Sequence, residues 1–174
     1  EQMGRQLALQ YPVDADLVIA VPDSAVPAGI GYARQSGIPF SEGLIKNRYI
    51  GRTFLQPDQR IRDVGIKLKF NPLPEVLKGQ RIVVVDDSIV RGTTTKPIVR
   101  LLRGAGAREV HVRITAPPMT HSCVLGVDTA RRSELIAARM TVDQIRDYIE
   151  ADSLGYLSLE RVLSSVALPP SDLC

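Results

Sequence analysis

Arg81-Ile-Val-Val-Val-Asp-Asp-Ser-Ile-Val-Arg-Gly-Thr-Thr-Thr95 runs from a short apolar strand into two adjacent carboxylates and then into a turn of Ser, Gly and Thr. Lys96 to Arg103 beyond it has helical character. Four consecutive apolar residues, three of them Val, fit a strand buried on both faces of a parallel sheet. Ligands of open α/β sheets bind outside the carboxyl ends of such strands. The turn offers backbone N–H groups and hydroxyls at a helix N-terminus, where a phosphate is favoured. Asp86 and Asp87 beside it have the oxygens to hold sugar hydroxyls or Mg²⁺. The segment therefore describes a site for a sugar that carries a phosphate.

A simpler reading competes with this one: an apolar run ending in Asp-Asp is common, and the second Asp often caps a helix. The Ser-x-x-Arg-Gly-Thr-Thr continuation goes beyond what a cap needs. A Walker loop is excluded because Gly-Lys-Ser/Thr is missing, and no Gly-x-Gly-x-x-Gly turn is present. The segment resembles the signature of the type I phosphoribosyltransferases, in which a hydrophobic strand and two acidic residues precede a small-residue loop that wraps the 5′-phosphate of phosphoribosyl pyrophosphate (PRPP).

Working outward, residues 1–11 read as a helix with Leu7 and Leu9 on its apolar side. Asp16-Leu-Val-Ile-Ala-Val21 is a second buried strand, and Pro22 to Pro27 a loop at its carboxyl end. Residues 27–36 read as a helix stopped by Gly37, and Ile38-Pro-Phe40 as a short strand. Residues 46–79 lack periodicity and carry Gly51, Pro57, Gly65, Pro72 and Pro74. A connection this long inside a compact domain is usually a functional flap or disordered. A helix follows over about 94–104, ended by Gly104 and Gly106, and then the strand Glu109 to Thr115. Residues 133–138, 141–150 and 158–165 read as short helices, with Thr141 as N-cap three residues before Gln144. Residues 168–174 read as a linker. Strands alternating with helices predict an α/β fold with a right-handed parallel sheet, one domain over 1–174, and no internal repeat.

Length and composition agree with an enzyme domain. A chain of 174 residues, 44% hydrophobic and 24% charged, can bury a proper core. No apolar run approaches the ~20 residues of a membrane helix. The opening Glu1-Gln-Met-Gly-Arg5 has no signal-peptide core and no initiator Met, as in a processed product or a piece of a longer polypeptide. Two cysteines, Cys123 and Cys174, make no disulfide framework, so a reducing cytoplasm is the expected location. The net charge is only +3, yet Lys46 to Lys69 holds seven basic against two acidic residues. Such a stretch suits nucleic acid, a polyanionic small molecule or a solvated loop. With only Tyr49 and Phe54 nearby, a base-stacking platform is weakly supported.

Further blocks narrow the resemblance. Val21-Pro-Asp-Ser24, Gly43-Leu-Ile-Lys-Asn-Arg-Tyr-Ile-Gly-Arg-Thr-Phe54 and Val84 to Thr94 occur in order. Glu109 to Arg113, Ala116-Pro-Pro118, Cys123, Gly126-Val-Asp128, Glu134-Leu-Ile-Ala137 and Ala151-Asp-Ser-Leu154 follow. Together they are similar to the phosphoribosyltransferase half of the glutamine PRPP amidotransferase family, over nearly the whole chain. Ala25 departs from the Gly expected in that loop and is small enough to keep it. No residue block resembles the family's N-terminal glutaminase domain, so this chain is not expected to hydrolyse glutamine.

The resemblance implies a type I phosphoribosyltransferase fold with flanking helices and a flexible flap over about 46–79. It implies amino transfer from ammonia to PRPP, giving 5-phosphoribosylamine and pyrophosphate, the first step of de novo purine synthesis. Asp86, Asp87 and Ser24 are implied in binding Mg²⁺–PRPP, with Asp23 beside Ser24 in the pyrophosphate loop. Ser88, Arg91, Gly92, Thr93 and Thr94 are implied as the 5′-phosphate cradle. Lys46, Arg48, Arg52 and Lys69 are implied in meeting the leaving pyrophosphate. Cys123 and Cys174 match positions that, in some members, ligate a four-iron four-sulfur cluster; the other reading of each is a buried small hydrophobe. The family further implies purine nucleotide inhibitors and a homo-oligomer, with no role for nucleic acid or membranes. His111 and His121 read as structural. A nucleobase salvage phosphoribosyltransferase is the alternative enzyme reading. A regulator that senses PRPP and binds nucleic acid is the alternative from another class, and it lacks a visible DNA-binding module.

Overall fold

A computed structural model describes residues 1–47, 49, 65–66, 68–123, 131–166 and 169–172. Four strands, β1 (Leu17–Ala20), β4 (Arg81–Asp86), β5 (Glu109–Ile114) and β6 (Ser153–Tyr156), form one parallel sheet in the order β1-β4-β5-β6. Ala20 pairs with Val85, Asp86 with Ile114, and Ile114 with Tyr156, so all four carboxyl ends open on one edge. β1 and β4 are buried on both faces, which is why they read as continuous apolar runs. Phe40, where the Ile38–Phe40 strand was expected, adds only a single parallel bridge to Val18 of β1.

Alternation along β4 divides the core. Val83 and Val85, with Val18, face Leu7 of α1 (Gln2–Gln10) and Tyr32 of α2 (Val26–Ser36). Ile82 and Val84 face Ile98 and Leu102 of α4 (Thr95–Gly104) and Ile145 and Ile149 of α5 (Val142–Ile149). Pro lies in the first turn of α2, and Gly37 ends it at φ 76°. Thr141 and Gln144 close the expected capping box on α5. Ser158 caps α6 (Leu159–Ser164).

Four expectations change. Leu9 is 53% exposed whereas Leu7 is fully buried; two residues apart on a helix lie on opposite sides. Residues 133–138 form two 3-10 turns, Arg132–Glu134 and Ile136–Ala138, rather than one helix. Residues 70–77, read as irregular, form β3 (Phe70–Pro72) and α3 (Pro74–Leu77). Pro72 and Pro74 look like breakers in sequence but sit where proline is tolerated, at the end of a two-stranded ribbon and in a first helical turn. β3 pairs antiparallel with β2 (Leu44–Lys46). Strand β6 was not foreseen: it is four residues long, and Gly155 within it depresses any strand reading. That glycine is required, because a Cβ there would lie 2.6 Å from the Tyr11 ring.

Helices α1 and α2 cross at a glycine contact. A Cβ on Gly4 would lie 1.9 Å from the Ala28 carbonyl oxygen, and one on Gly31 2.1 Å from the Glu1 carbonyl oxygen. Gly→Ala inside a helix normally stabilises by about 1 kcal/mol. Here Gly4→Ala is expected to destabilise by about 1–3 kcal/mol, because backbone must move to admit the methyl. Urea denaturation measures it, and an unchanged or higher midpoint would show that α1 shifts freely.

Candidate functional site

The carboxyl ends of β1 and β4 are neighbours, and the Val21 N–H extends their pairing by donating to the Val85 carbonyl at 2.9 Å. Two loops meet there. The Ser24 hydroxyl donates to Asp87 Oδ2 at 2.6 Å, joining the loop after β1 to the loop after β4. Lys46, the last residue of β2, places its ammonium 2.7 Å from Asp23 Oδ2. Lys69, just before β3, feels both Lys46 and Asp23. Its pKa is lowered chiefly by burial and then by the Lys46 charge, with Asp23 opposing. The β2–β3 ribbon thus brings two ammonium groups to the β1 loop. The Pro22–Asp23 peptide of that loop is cis.

The two carboxylates differ. Asp86 ends β4 and is only 9% exposed. Its pKa is raised to about 7, first by burial and then by the Asp87 charge; the Asp87 N–H donating to Asp86 Oδ1 at 2.8 Å opposes this. Asp87 is exposed, takes Ser24 on Oδ2, and accepts from the Ser88 hydroxyl on Oδ1 at 3.1 Å. Main-chain N–H groups of Thr115 and Ala116, beyond β5, donate to the Asp86 and Asp87 carbonyls at 3.1 and 3.0 Å and fix the turn.

The loop from Ser88 to Thr94 then rises into α4. Ile89 is buried and pins it to the core. Gly92 is at φ 73°, a conformation that favours glycine. Thr94 occupies the N-cap position of α4 without a side-chain cap bond, so its hydroxyl is not spent on the helix. Arg91 turns its guanidinium away to Glu134, 2.8 Å from Oε2; of the expected cradle residues it is the one whose charge is engaged elsewhere. Asp23, Ser24, Lys46, Lys69, Asp86, Asp87, Ser88, Gly92, Thr93 and Thr94 otherwise gather along the β1 and β4 carboxyl ends and the start of α4.

Arg48, Arg52 and Cys174 lie outside the described residues, as do Gly126 to Asp128. Cys123 is half-buried. His111 lies within hydrogen-bond distance of the Ser153 hydroxyl and the Glu109 carboxylate. Sequence reading missed Thr115, Ile136 and Tyr148, which support the loops from behind; only the tertiary fold brings them there. A cleft of about 820 Å³ runs along α4, lined among others by Thr93, Lys96, Leu101 and Tyr148. A smaller one of about 240 Å³ lies beside Asp23 and Lys46. No helix among the described residues is long and apolar enough to cross a membrane.

Oxygen donors meeting a phosphate-type loop beside two lysines can hold the sugar, metal and pyrophosphate of an activated phosphoribosyl group. Residues 3–137 match the model of the phosphoribosyl transferase domain. The chain is 58% identical to the amidophosphoribosyltransferase of Synechocystis sp., over 99% of this chain and 35% of the relative. It is 56% identical to the chloroplastic amidophosphoribosyltransferase 2 of Arabidopsis thaliana, over 98% and 30%. A solved structure of glutamine PRPP amidotransferase from B. subtilis, complexed with ADP and GMP, superimposes with a TM-score of 0.85 at 51% identity, covering 95% of this chain and 36% of that one. Another, described as the allosteric regulatory enzyme of purine biosynthesis, gives 0.84 at 52%, covering 94% and 35%. The chain spans about a third of the length of these proteins. From Met3 to Ala137, with its paired carboxylates and Gly92 turn in place, the chain belongs to the phosphoribosyl transferase domain family.

Proposed function

We propose that this chain is the phosphoribosyl-binding half of an amidophosphoribosyltransferase, joining ammonia to PRPP with release of pyrophosphate. The observation that carries this reading is the Ser24–Asp87 hydrogen bond, which couples a pyrophosphate-side loop to a ribose-side carboxylate. Ammonia attacks the anomeric carbon as the bond to pyrophosphate breaks, and the positive charge that develops on the ring needs fixed negative partners. Asp86 and Asp87 hold the ribose hydroxyls and offer that charge. Ser88, Gly92, Thr93 and Thr94 receive the 5′-phosphate through N–H groups and hydroxyls, with Arg91 contributing main chain. Lys46 and Lys69 take up the charge of the departing pyrophosphate, and Arg48 and Arg52, from the connection between β2 and β3, join them there and help exclude water.

Mg²⁺ fits this donor set. Asp86, Asp87 and Ser24 present hard oxygens, and a site of one or two carboxylates completed by substrate phosphates is how proteins usually hold this ion. When bound it supplies positive charge to the pyrophosphate. A four-iron four-sulfur cluster calls for four thiolates, and this chain has only Cys123 and Cys174, so the two alone do not fit it and no step runs through it. In the longer polypeptide a glutaminase domain supplies the ammonia, purine nucleotides inhibit, and the protein is a cytoplasmic homo-oligomer. Support comes from the length of the relatives and from the ADP and GMP bound to the B. subtilis enzyme.

Pyrophosphate release from PRPP with Mg²⁺ and an ammonium salt, compared with adenine, guanine and hypoxanthine as acceptors, tests the reading. Ammonia-dependent release supports it, and turnover only with a nucleobase moves the chain to salvage. Arg52→Ala is expected to lower kcat/KM about 10–100-fold, the effect of one lost charge-assisted hydrogen bond, with the melting temperature unchanged. A wild-type rate would remove Arg52 from the mechanism.

A further inference from the structure

We propose that Tyr148 is a positioning residue for the 5′-phosphate cradle: its ring backs Gly92, and Lys96 and Glu150 hold that ring in place. The inference rests on the phosphoribosyl reading of the Ser88–Thr94 loop. A Cβ on Gly92 would come within 3.0 Å of Tyr148 Cε1 and 2.9 Å of Ile136 Cδ1. Ring and isoleucine therefore form a wall directly behind the loop backbone. The Ile136 N–H also donates to the Val90 carbonyl at 2.9 Å, tying wall and loop through the main chain.

Lys96 completes the enclosure. Its N–H donates to the Gly92 carbonyl at 3.2 Å. Its ammonium lies 4.6 Å from the Tyr148 ring centroid, a cation–π contact, and 3.3 Å from Glu150 Oε1. Glu150 is the anchor. It ends α5 at φ 63°, the one non-glycine residue at positive φ among those described. Such a conformation is unfavourable for a residue with a Cβ and persists where surroundings hold it. Here the carboxylate also accepts from Arg100 Nε at 2.9 Å, and the carbonyl from Arg103 Nη2 at 3.0 Å. Three cations of α4 thus clasp the end of α5, with the tyrosine ring wedged at the first turn.

The consequence is preorganisation. A loop of Ser, Gly and Thr has little side-chain bulk with which to hold itself, and its N–H directions must be set before the phosphate arrives if binding is to be tight. The pyrophosphate side is built by Asp23, Ser24 and Lys46, on the loop after β1 and the end of β2. The two ends of the substrate should therefore respond differently.

The test is made in the full-length polypeptide with Mg²⁺ present. Ribose 5-phosphate and pyrophosphate are titrated calorimetrically into wild type, Tyr148→Leu and Tyr148→Phe, and KM and kcat for PRPP are measured. Tyr148→Leu is expected to weaken ribose 5-phosphate about tenfold and raise KM similarly, a change of about 1.4 kcal/mol. Pyrophosphate affinity and kcat should stay near wild type, and Tyr148→Phe should restore the rest. Glu150→Gln, which keeps the ring but weakens its anchor, should give a smaller loss confined to ribose 5-phosphate. Equal loss of both ligands, or Tyr148→Leu matching wild type, overturns the proposal. Failure of wild type itself to bind ribose 5-phosphate overturns the phosphoribosyl reading and this inference with it.

Discussion

Asp86→Asn is expected to lower kcat/KM for PRPP on the order of 100-fold, comparable to losing one transition-state-stabilising group, and yet to stabilise the ligand-free protein at alkaline pH. The second effect follows from burial. Asp86 has a folded pKa of about 7 against an ordinary 3.8. The unfolded chain releases this proton near pH 4, whereas the folded chain keeps it until about pH 7. Stability associated with the group is therefore full below pH 4, falls as pH rises, and is lost above 7. A three-unit difference corresponds to at most about 4 kcal/mol, less whatever relaxation around the carboxylate recovers. Asn is neutral throughout and keeps the oxygen that accepts from the Asp87 N–H. Melting curves should coincide near pH 4 and separate towards pH 8, with the variant higher by about 2–4 °C for each kcal/mol. A variant less stable than wild type at pH 8 would mean that Asp86 is not held at a cost; undiminished turnover would remove it from the site.

That division of labour shows what sequence can and cannot convey here. The Ile82–Val85 run, the Asp-Asp pair and the Gly-Thr-Thr turn are contiguous, so strand, carboxylates and loop were legible together. Adjacent residues point to opposite sides of a strand, but nothing local says that Asp86 is the buried one; that depends on β5 and the turn at Thr115 and Ala116 closing over it. Lys46 and Lys69 were legible as charge without a location. Their meeting at Asp23 depends on the β2–β3 ribbon, whose strands are three residues long and too short to show a period. Leu9 is apolar in composition but exposed in the fold, because two residues along a helix turn through about 200° from the buried Leu7. Tyr148 and Ile136 were invisible as site residues, since contacts across the fold leave no trace in spacing.

Gly92→Ala tests the other half of the site and is expected to cost about 1–3 kcal/mol of stability, with loss of most ribose 5-phosphate affinity. Two effects act together. At φ 73° an L-residue is strained. The added methyl must also enter space 2.9 Å from Ile136 Cδ1 and 3.0 Å from Tyr148 Cε1. Either neighbour retreats, opening the wall behind the loop, or the loop moves forward into the space the phosphate needs. Gly92→Asn separates the causes, because Asn tolerates the left-handed region while still carrying a Cβ. If dihedral strain alone mattered, Asn would recover most of the stability and binding. The close wall predicts that it recovers part of the stability and little of the binding. Urea midpoints and ribose 5-phosphate titrations of the two variants give the answer. Binding by Gly92→Asn equal to wild type would show that the cradle does not depend on the approach of Tyr148 and Ile136 to the loop.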